Sequence, residues 1–371
     1  MIPLDANCFF FADETSKEAL KDVVTGSVSG ISYSPIYKYD AEYSTADGTV
    51  TFIRSAQENE ESDAEPEDKP DNYNPALYAG TVSSNVVGFV QTVIDNAAFA
   101  HILPQNTVSG MASGDMPKAN NAWVSVVGFN DDVELKHFNT VDSELVSVIG
   151  GVNSDKYNLG RGWATYGVYA GYLNGKQKYA ANKIEQNGGY IGLSAGYELN
   201  NFVVAATINT GFVKNEDKNI FGNDKFDTYW GGAGVKGGYN YSLGYGLTLQ
   251  PNLQVGYTYV NTEAYTSKSG VKVKNDALHL WETAPGLMVS KQFKNAWRGY
   301  AQTKYAFVMK SGGSIEANEI ALPHISSKNY VEYGLGIEKD LSDRWSFSAE
   351  VNRRDGGREG WNGNVTVKYN F

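Results

Sequence analysis

The chain has 371 residues, a formal net charge of −11, 40 glycines, 25 tyrosines, 10 prolines and one cysteine. An acidic chain lacks the basic face that nucleic acid requires, and lone Cys8, without a CxxC or His/Cys cluster, provides neither an internal disulfide nor a metal site. No run of about 18 uniformly apolar residues encodes a transmembrane helix, but the mean hydropathy of −0.38 leaves a β-barrel open, because only alternate residues of a barrel strand touch lipid.

Met1-Ile2-Pro3-Leu4-Asp5 has neither the basic start nor the apolar core of a signal peptide, and Asp5-Ala6-Asn7-Cys8 has no apolar stretch to support lipidation. The expectation is the C-terminal part of a longer precursor, or a clipped gene product. Residues 1–57 combine a short polar helix candidate (Ser16 to Val24) with β-like stretches. Among these, Thr49–Arg54 alternates after an Asp47-Gly48 turn. The acidic, proline-containing run from Glu58 to Pro70 has no apolar anchor and reads as a solvated linker over 58–73.

Asn74-Pro75 is a helix start, with Asn as N-cap and Pro at N1. The segment from Pro75 to Ile102, within a unit 74–103, carries Val86, Val90 and Val93 interleaved with Ser83, Ser84, Asn85 and Gln91. At 1.5 Å per residue it spans about 40 Å, longer than the roughly 30 Å hydrocarbon layer. It is too polar to face lipid.

Over 121–371 the period becomes two. Strands are expected near Ala122–Phe129, Leu145–Asn153, Trp163–Leu173, Gly188–Leu199, Phe202–Val213, Thr228–Tyr241, Leu247–Val260, Ala277–Gln292, Trp297–Val308, Asn329–Lys339, Trp345–Arg353 and Trp361–Phe371. That is an even number, each long enough to cross a bilayer at a tilt. Long polar connections are expected at 130–144, 174–187, 214–227, 261–276 and 309–328, with short ones between them. Such segregation suits a membrane barrel with external loops. The chain ends with Val365, Val367, Tyr369 and Phe371 on one strand face and Asn364, Thr366, Lys368 and Asn370 on the other. Seven tryptophans, among them Trp123, Trp163, Trp297, Trp345 and Trp361, read as interfacial aromatics.

The helix entry at Asn74-Pro75-Ala76-Leu77, the helix to Ile102, the twelve strands and the terminal Val367-Lys368-Tyr369-Asn370-Phe371 together resemble the translocator domain of autotransporters, the type V secretion proteins. The resemblance covers about four fifths of the chain. Thr366 occupies a position where such C-terminal signals often carry glycine. The resemblance implies an all-β fold: a 12-stranded antiparallel transmembrane β-barrel with an N-terminal α-helix in the lumen. The implied protein anchors and exports its own N-terminal passenger. It sits in the outer membrane of a Gram-negative bacterium, with the N-terminal segment at the surface. The implied partners are outer-membrane lipid, the barrel-assembly machinery and the passenger, in a monomer without cofactor. Thr49–Arg54 would be a β-rung of the passenger. The alternative is a passive porin with a short N-terminal plug, which has no need of a helix this long.

His324, Ser326 and Asn329 are the best match to a catalytic base, nucleophile and orienting residue. They lie in a loop, and the expectation is that the chain is not an enzyme. Some autotransporters cut their linker helix at an Asn with lumen carboxylates. Asn85 and Asn96 offer the amide, and Glu282, Glu332 and Glu350 the acids. The competing reading pairs these acids with Lys304, Arg298 or Arg353.

Overall fold

The computed structural model describes residues 28–44, 49–54, 72–102, 120–294 and 297–371. The helix expected at Ser16 to Val24, the turn at Asp47-Gly48 and the acidic run from Glu58 to Pro70 lie outside the described residues.

Three short strands, β1 (Val28–Tyr33), β2 (Lys38–Ser44) and β3 (Thr49–Arg54), form an antiparallel meander. The meander is tied to the following helix through Asn74. The Asn74 amide nitrogen of the backbone donates to the Ile36 carbonyl at 2.8 Å, and its side-chain Nδ2 donates to the carbonyls of Ser34 and Pro35. Asn74 Oδ1 meanwhile accepts from the Ala76 N–H at 3.1 Å, which is the N-cap bond that Asn supplies. A 3₁₀ turn (Pro75–Tyr78) leads into helix α1 (Ala79–Ile102).

Twelve strands then close a barrel. They are β4 (Asn121–Val133), β5 (Val141–Asn153), β6 (Gly162–Tyr179), β7 (Asn182–Leu199), β8 (Phe202–Asn219), β9 (Gly222–Tyr239), β10 (Leu247–Thr262), β11 (Leu278–Gln292), β12 (Trp297–Gly312), β13 (Tyr330–Asp340), β14 (Trp345–Gly356) and β15 (Arg358–Asn370). Each pairs antiparallel with its neighbours in sequence, β9 with β10 included, and β15 pairs with β4 from Arg358↔Val133 to Asn370↔Asn121. Closure leaves no open edge, so every ladder group can be satisfied without water.

Alternation sorts the two faces. In β10, Leu253, Val255 and Tyr259 are exposed outward while Gln250, Gln254 and Thr258 are buried inward. In β14, Trp345 and Val351 point out and Asn352 points in. An apolar outer wall over a polar, buried inner wall is what a lipid solvent selects.

The outer end departs from the expected loops. Strands β6 to β9 each run for 18 residues, about 60 Å at 3.3 Å per residue, far more than a crossing needs. The stretches 174–187 and 214–227, expected as long loops, are paired hairpins closed by tight turns at 180–181 and 220–221. Their polarity reflects projection into water beyond the lipid belt, and the ladder continues there because cross-strand pairs still stabilise it. The links at 261–276 and 309–328 fold instead into a four-stranded sheet of Tyr265–Thr266, Lys272–Asn275, Ile315–Ala317 and Ile320–Leu322. Its buried Val271, Val273, Ile315, Leu322 and Ile325 pack with Leu77 and Tyr78 in one apolar cluster that covers the helix entry.

Candidate functional site: the occupied lumen

Helix α1 runs through the barrel from the long-hairpin end to the short-turn end. Tyr78, at its start, packs against Phe138 beyond the end of β4 (ring centroids 5.1 Å apart). Ile102, at its last turn, fills the space over Gly196 near the end of β7, where a Cβ would overlap the Ile102 side chain. Gly88 on the helix makes the reverse allowance, since a Cβ there would overlap Leu280. By length and composition the helix is apolar enough to cross a membrane, yet nearly all of it is buried inside the protein. The expectation that no segment is apolar enough to cross a membrane is thus corrected by composition alone. The helix is enclosed by protein, and its apolar side chains meet apolar lumen positions. Val86, Val90 and Val93 are buried with Trp123, Leu145, Ile149, Leu173 and Tyr190.

The polar side chains of the helix account for its fit. Ser83 Oγ donates to Asn215 Oδ1 at 2.6 Å, and Gln186 Nε2 reaches both of these residues. Ser84 Oγ and Thr262 Oγ1 lie 2.5 Å apart, and Thr81 Oγ1 donates to Asn275. One turn from the middle, Asp95 Oδ1 accepts from Gln91 Nε2 and Asn209 Nδ2, both at 2.8 Å, and Asn209 also donates to Tyr169 Oη. Buried polar groups must be paired, so each of these bonds also fixes the depth and rotation of the helix. Asp95 was not singled out from the sequence; an acid on the otherwise uncharged middle of a lumen helix is the signal that could have found it.

The opposite wall, β12 to β15 and the end of β4, is charged. Arg354 donates to Asp131 at 2.6 Å and to Glu332 at 2.8 Å, Lys304 pairs with Glu332 at 3.0 Å, and Arg358 Nη2 lies 2.7 Å from Asp131. The Arg358 guanidinium sits between the rings of Phe89 on the helix (4.5 Å) and Phe129 on β4 (4.8 Å). It thereby joins the helix to this wall by cation–π contact. Toward the short-turn end the wall stands off from α1. The gap of about 70 Å³ is lined by Asn96, Lys236, Arg298, Lys304, Glu338 and Glu350 among others, and it is several times the ~10–15 Å³ that one water occupies.

The acids that self-cleavage would require fall into this network. Glu332 pairs with Lys304, as the competing reading has it, and with Arg354. Glu350 accepts from Tyr300 and Glu282 from Tyr330. Arg298 pairs with Glu338, and Arg353 pairs with Asp355 and Glu359 on the outer face. Asn85 is held by the Thr81 carbonyl and Ser327, while Asn96 borders the gap. His324 is exposed, Ser326 pairs in a short strand with Lys136, and Asn329 Oδ1 accepts from the Val308 N–H. These three do not converge on a common point.

The terminal strand places Val365 and Val367 on the exposed outer face. Tyr369 packs edge-to-face on Trp345 (4.9 Å) and Phe371 (5.4 Å). Trp297, Trp345 and Trp361 are exposed on the outer surface. Trp123 is corrected: it shares parity with Val127 and Phe129, is 3 % exposed, and stacks on His101 of the helix at 3.9 Å. Its indole fills lumen space beside the last turn of α1. Trp163 is also corrected, since it is half-buried and has the parity of Thr165 and Tyr169, which face inward. Period two determines that two positions share a face, but not which face meets lipid when both carry aromatics.

A closed barrel with an apolar belt and its own N-terminal helix through the pore defines an outer-membrane β-barrel that is plugged from within. Residues 122–352, more than half of the chain, match the family model described as the Autotransporter beta-domain, and the chain belongs to that family. No curated protein matches. Among solved structures, the translocator domain of autotransporter NalP from Neisseria meningitidis is similar at 12 % identity and a TM-score of 0.65, covering 80 % of this chain and 100 % of that one. The transport unit of the autotransporter AIDA-I from Escherichia coli is similar at 17 % identity and a TM-score of 0.62, covering 76 % and 98 %. The beta domain of the Bordetella autotransporter BrkA is similar at 17 % identity and a TM-score of 0.58, covering 68 % and 99 %. The barrel is a translocator of a Gram-negative outer membrane that anchors and exports an attached N-terminal passenger. The passive-porin alternative does not account for a lumen helix fastened at this many points.

Proposed function

We propose that the chain is held in the state that follows export, with residues 1–57 forming the C-terminal part of the passenger at the cell surface. Residues 58–73 are then the linker, 74–103 the plug and 121–371 the barrel. The observation that carries this is the tie at Asn74, which joins the β1–β3 meander to the helix entry at the long-hairpin end. On this reading Val365, Val367, Tyr369 and Phe371 are the face that the assembly machinery reads, the barrel works as a monomer, and the barrel itself carries out no chemical reaction.

Two measurements test it. A protease site placed between Glu58 and Pro70 should be cut on intact cells, releasing an N-terminal fragment; protection until the outer membrane is permeabilised would put the segment on the wrong side. In planar bilayers the full chain should conduct weakly, and a chain lacking residues up to Ile102 should conduct several-fold more. Equal conductance of the two would remove the plug.

A further inference from the structure

At the outer end of the barrel, beneath the four-stranded sheet that covers the helix entry like a lid, two carboxylates are buried together. Asp217 on β8 stands directly across the ladder from Asp224 on β9, and they are 0 % and 2 % exposed. The same nitrogen, Asn219 Nδ2, donates to Asp217 Oδ2 at 2.8 Å and to Asp224 Oδ2 at 2.9 Å, so the two groups lie within one span of those bonds. Asp224 Oδ1 accepts from the Lys268 N–H of the lid loop at 2.6 Å. Among the described residues no cationic side chain pairs with either acid. Phe212 is the last lipid-facing aromatic of β8. Asp217 lies five residues, about 16 Å along the strand, beyond it, outside the lipid belt.

A second, independent observation is the set of polar groups around this pair that make no hydrogen bond. These are Asp217 Oδ1, Tyr179 Oη and Tyr265 Oη. Tyr179, Asn182 and Tyr265 are 3 %, 4 % and 8 % exposed. The register places Tyr179 opposite Asn182, in the inward row next to that of Ile184, Asp217 and Asp224. Tyr265 stacks on Phe226, two residues from Asp224, at 4.7 Å. Burial, with the charge of the nearby carboxylates adding to it, raises the pKa of both phenols well above the ordinary value. Burial likewise pushes the Asp217 carboxyl up to about 7, with Asp224 adding to the rise.

Two buried, adjacent anions without a counter-charge are costly, and a hard cation is the ligand that removes that cost. Calcium takes six to eight oxygens from carboxylates, side-chain amides and water in a flexible shell. We propose that Asp217 and Asp224 form a binding site for a hard divalent cation of the calcium class, with the Tyr179 and Tyr265 hydroxyls beside its waters. Because Lys268 and Tyr265 belong to the lid loop, the cation fastens the lid to the β8–β9 hairpin over the start of α1. This site does not depend on what the barrel exports.

The test uses the folded full chain in detergent, stripped with chelator and titrated with Ca²⁺ and with Tb³⁺, exciting tyrosine. Saturable Tb³⁺ emission displaced by Ca²⁺, and a Ca²⁺-dependent rise in Tm, are expected. Asp217→Asn should weaken Ca²⁺ binding at least tenfold and abolish the Tm response while keeping heat-modifiable migration, the sign of a folded barrel. Asp224→Asn is the second variant should the first not fold. Tyr179→Phe with Tyr265→Phe should lower sensitised emission several-fold at nearly unchanged Ca²⁺ affinity. Absence of saturable binding, or binding unchanged in both acid variants, would overturn the site. So would a wild type indifferent to Ca²⁺ but stabilised by Asp217→Asn, which would mean that a proton alone relieves the pair.

Discussion

The two walls of the lumen hold the same helix in different ways. The wall built from β7 to β10 meets α1 with apolar side chains and with hydrogen bonds from the uncharged side chains of Asn215, Gln186, Asn209 and Thr262. The space left along it, beside Phe89, Asp95 and Gln254, is about 10 Å³, at most one water. The wall from β12 to β15 satisfies its charges mainly among its own strands and leaves the larger gap. Neutral bonds suit a surface that must release the helix when the passenger moves, because each contributes only about 0.5–1.5 kcal/mol net. A charged network that is complete without the helix keeps its strands in place whether or not the pore is filled.

The largest effect should come from breaking that network. Arg354→Met would leave Asp131 and Glu332 short of their shared partner at 0 % and 5 % exposure. The expected cost is about 3–5 kcal/mol, read as a lower temperature of the folded-to-unfolded gel shift. The loss should be nearly the same in the full chain and in a chain without α1, since most of the bonds are wall to wall. A loss confined to the helix-containing chain would show that the network serves the plug.

Next is Val90→Pro, on a helix residue that is 1 % exposed. It removes one helical bond and clashes with the preceding turn, costing about 3 kcal/mol of helix stability. The barrel should remain folded and the pore should open toward the conductance of the helix-deleted chain. A collapsed barrel would mean that the neutral wall cannot stand without its helix.

Much of this comparison was legible in the sequence, though not all of it. Twelve strands, their faces in β10 and β14 and the helix start at Asn74 follow from period two, period 3.6 and capping, which are local rules. The hairpins at 174–187 and 214–227 read as loops because a strand that leaves the membrane loses its apolar face while keeping its ladder. Trp123 read as an interfacial residue because a lumen filled by a helix needs aromatics inside as well as outside. The Asp131–Arg354–Glu332 cluster joins β4 to β13 and β14 across closure of the barrel, and no local spacing announces contacts so distant in sequence.

A smaller effect is expected from Asp95→Ala on the neutral wall. It strands the amides of Gln91 and Asn209, which both donate to Oδ1, and should cost about 1–3 kcal/mol. Asp95→Asn keeps an acceptor and should cost less. Helix release, followed by protease access to α1 in detergent, should rise in that order. Equal access in all three proteins would mean that Asp95 does not hold the plug.

The smallest effect on stability, and the sharpest on the comparison, comes from Glu350→Gln. Glu350 is half-buried on the gap, where Tyr300 donates to Oε2 and Asn352 to Oε1, both at 2.7 Å. An amide there keeps a hydrogen-bonding group at each end but loses the charge, so the barrel should lose no more than about 1.5 kcal/mol. The gap presents Lys236, Arg298 and Lys304 against Glu332, Glu338 and Glu350, a balanced set that gives the weak leak of the full chain little ion preference. Removing one carboxylate tips that balance, and field lines concentrate in a narrow low-dielectric passage. The reversal potential of the leak under a salt gradient should therefore shift toward that of the anion. Asp95→Asn, on the close-packed side, should not move it. If both variants shift it alike, ions pass along the neutral wall as well, and the two sides of the helix do not differ in the way their packing implies.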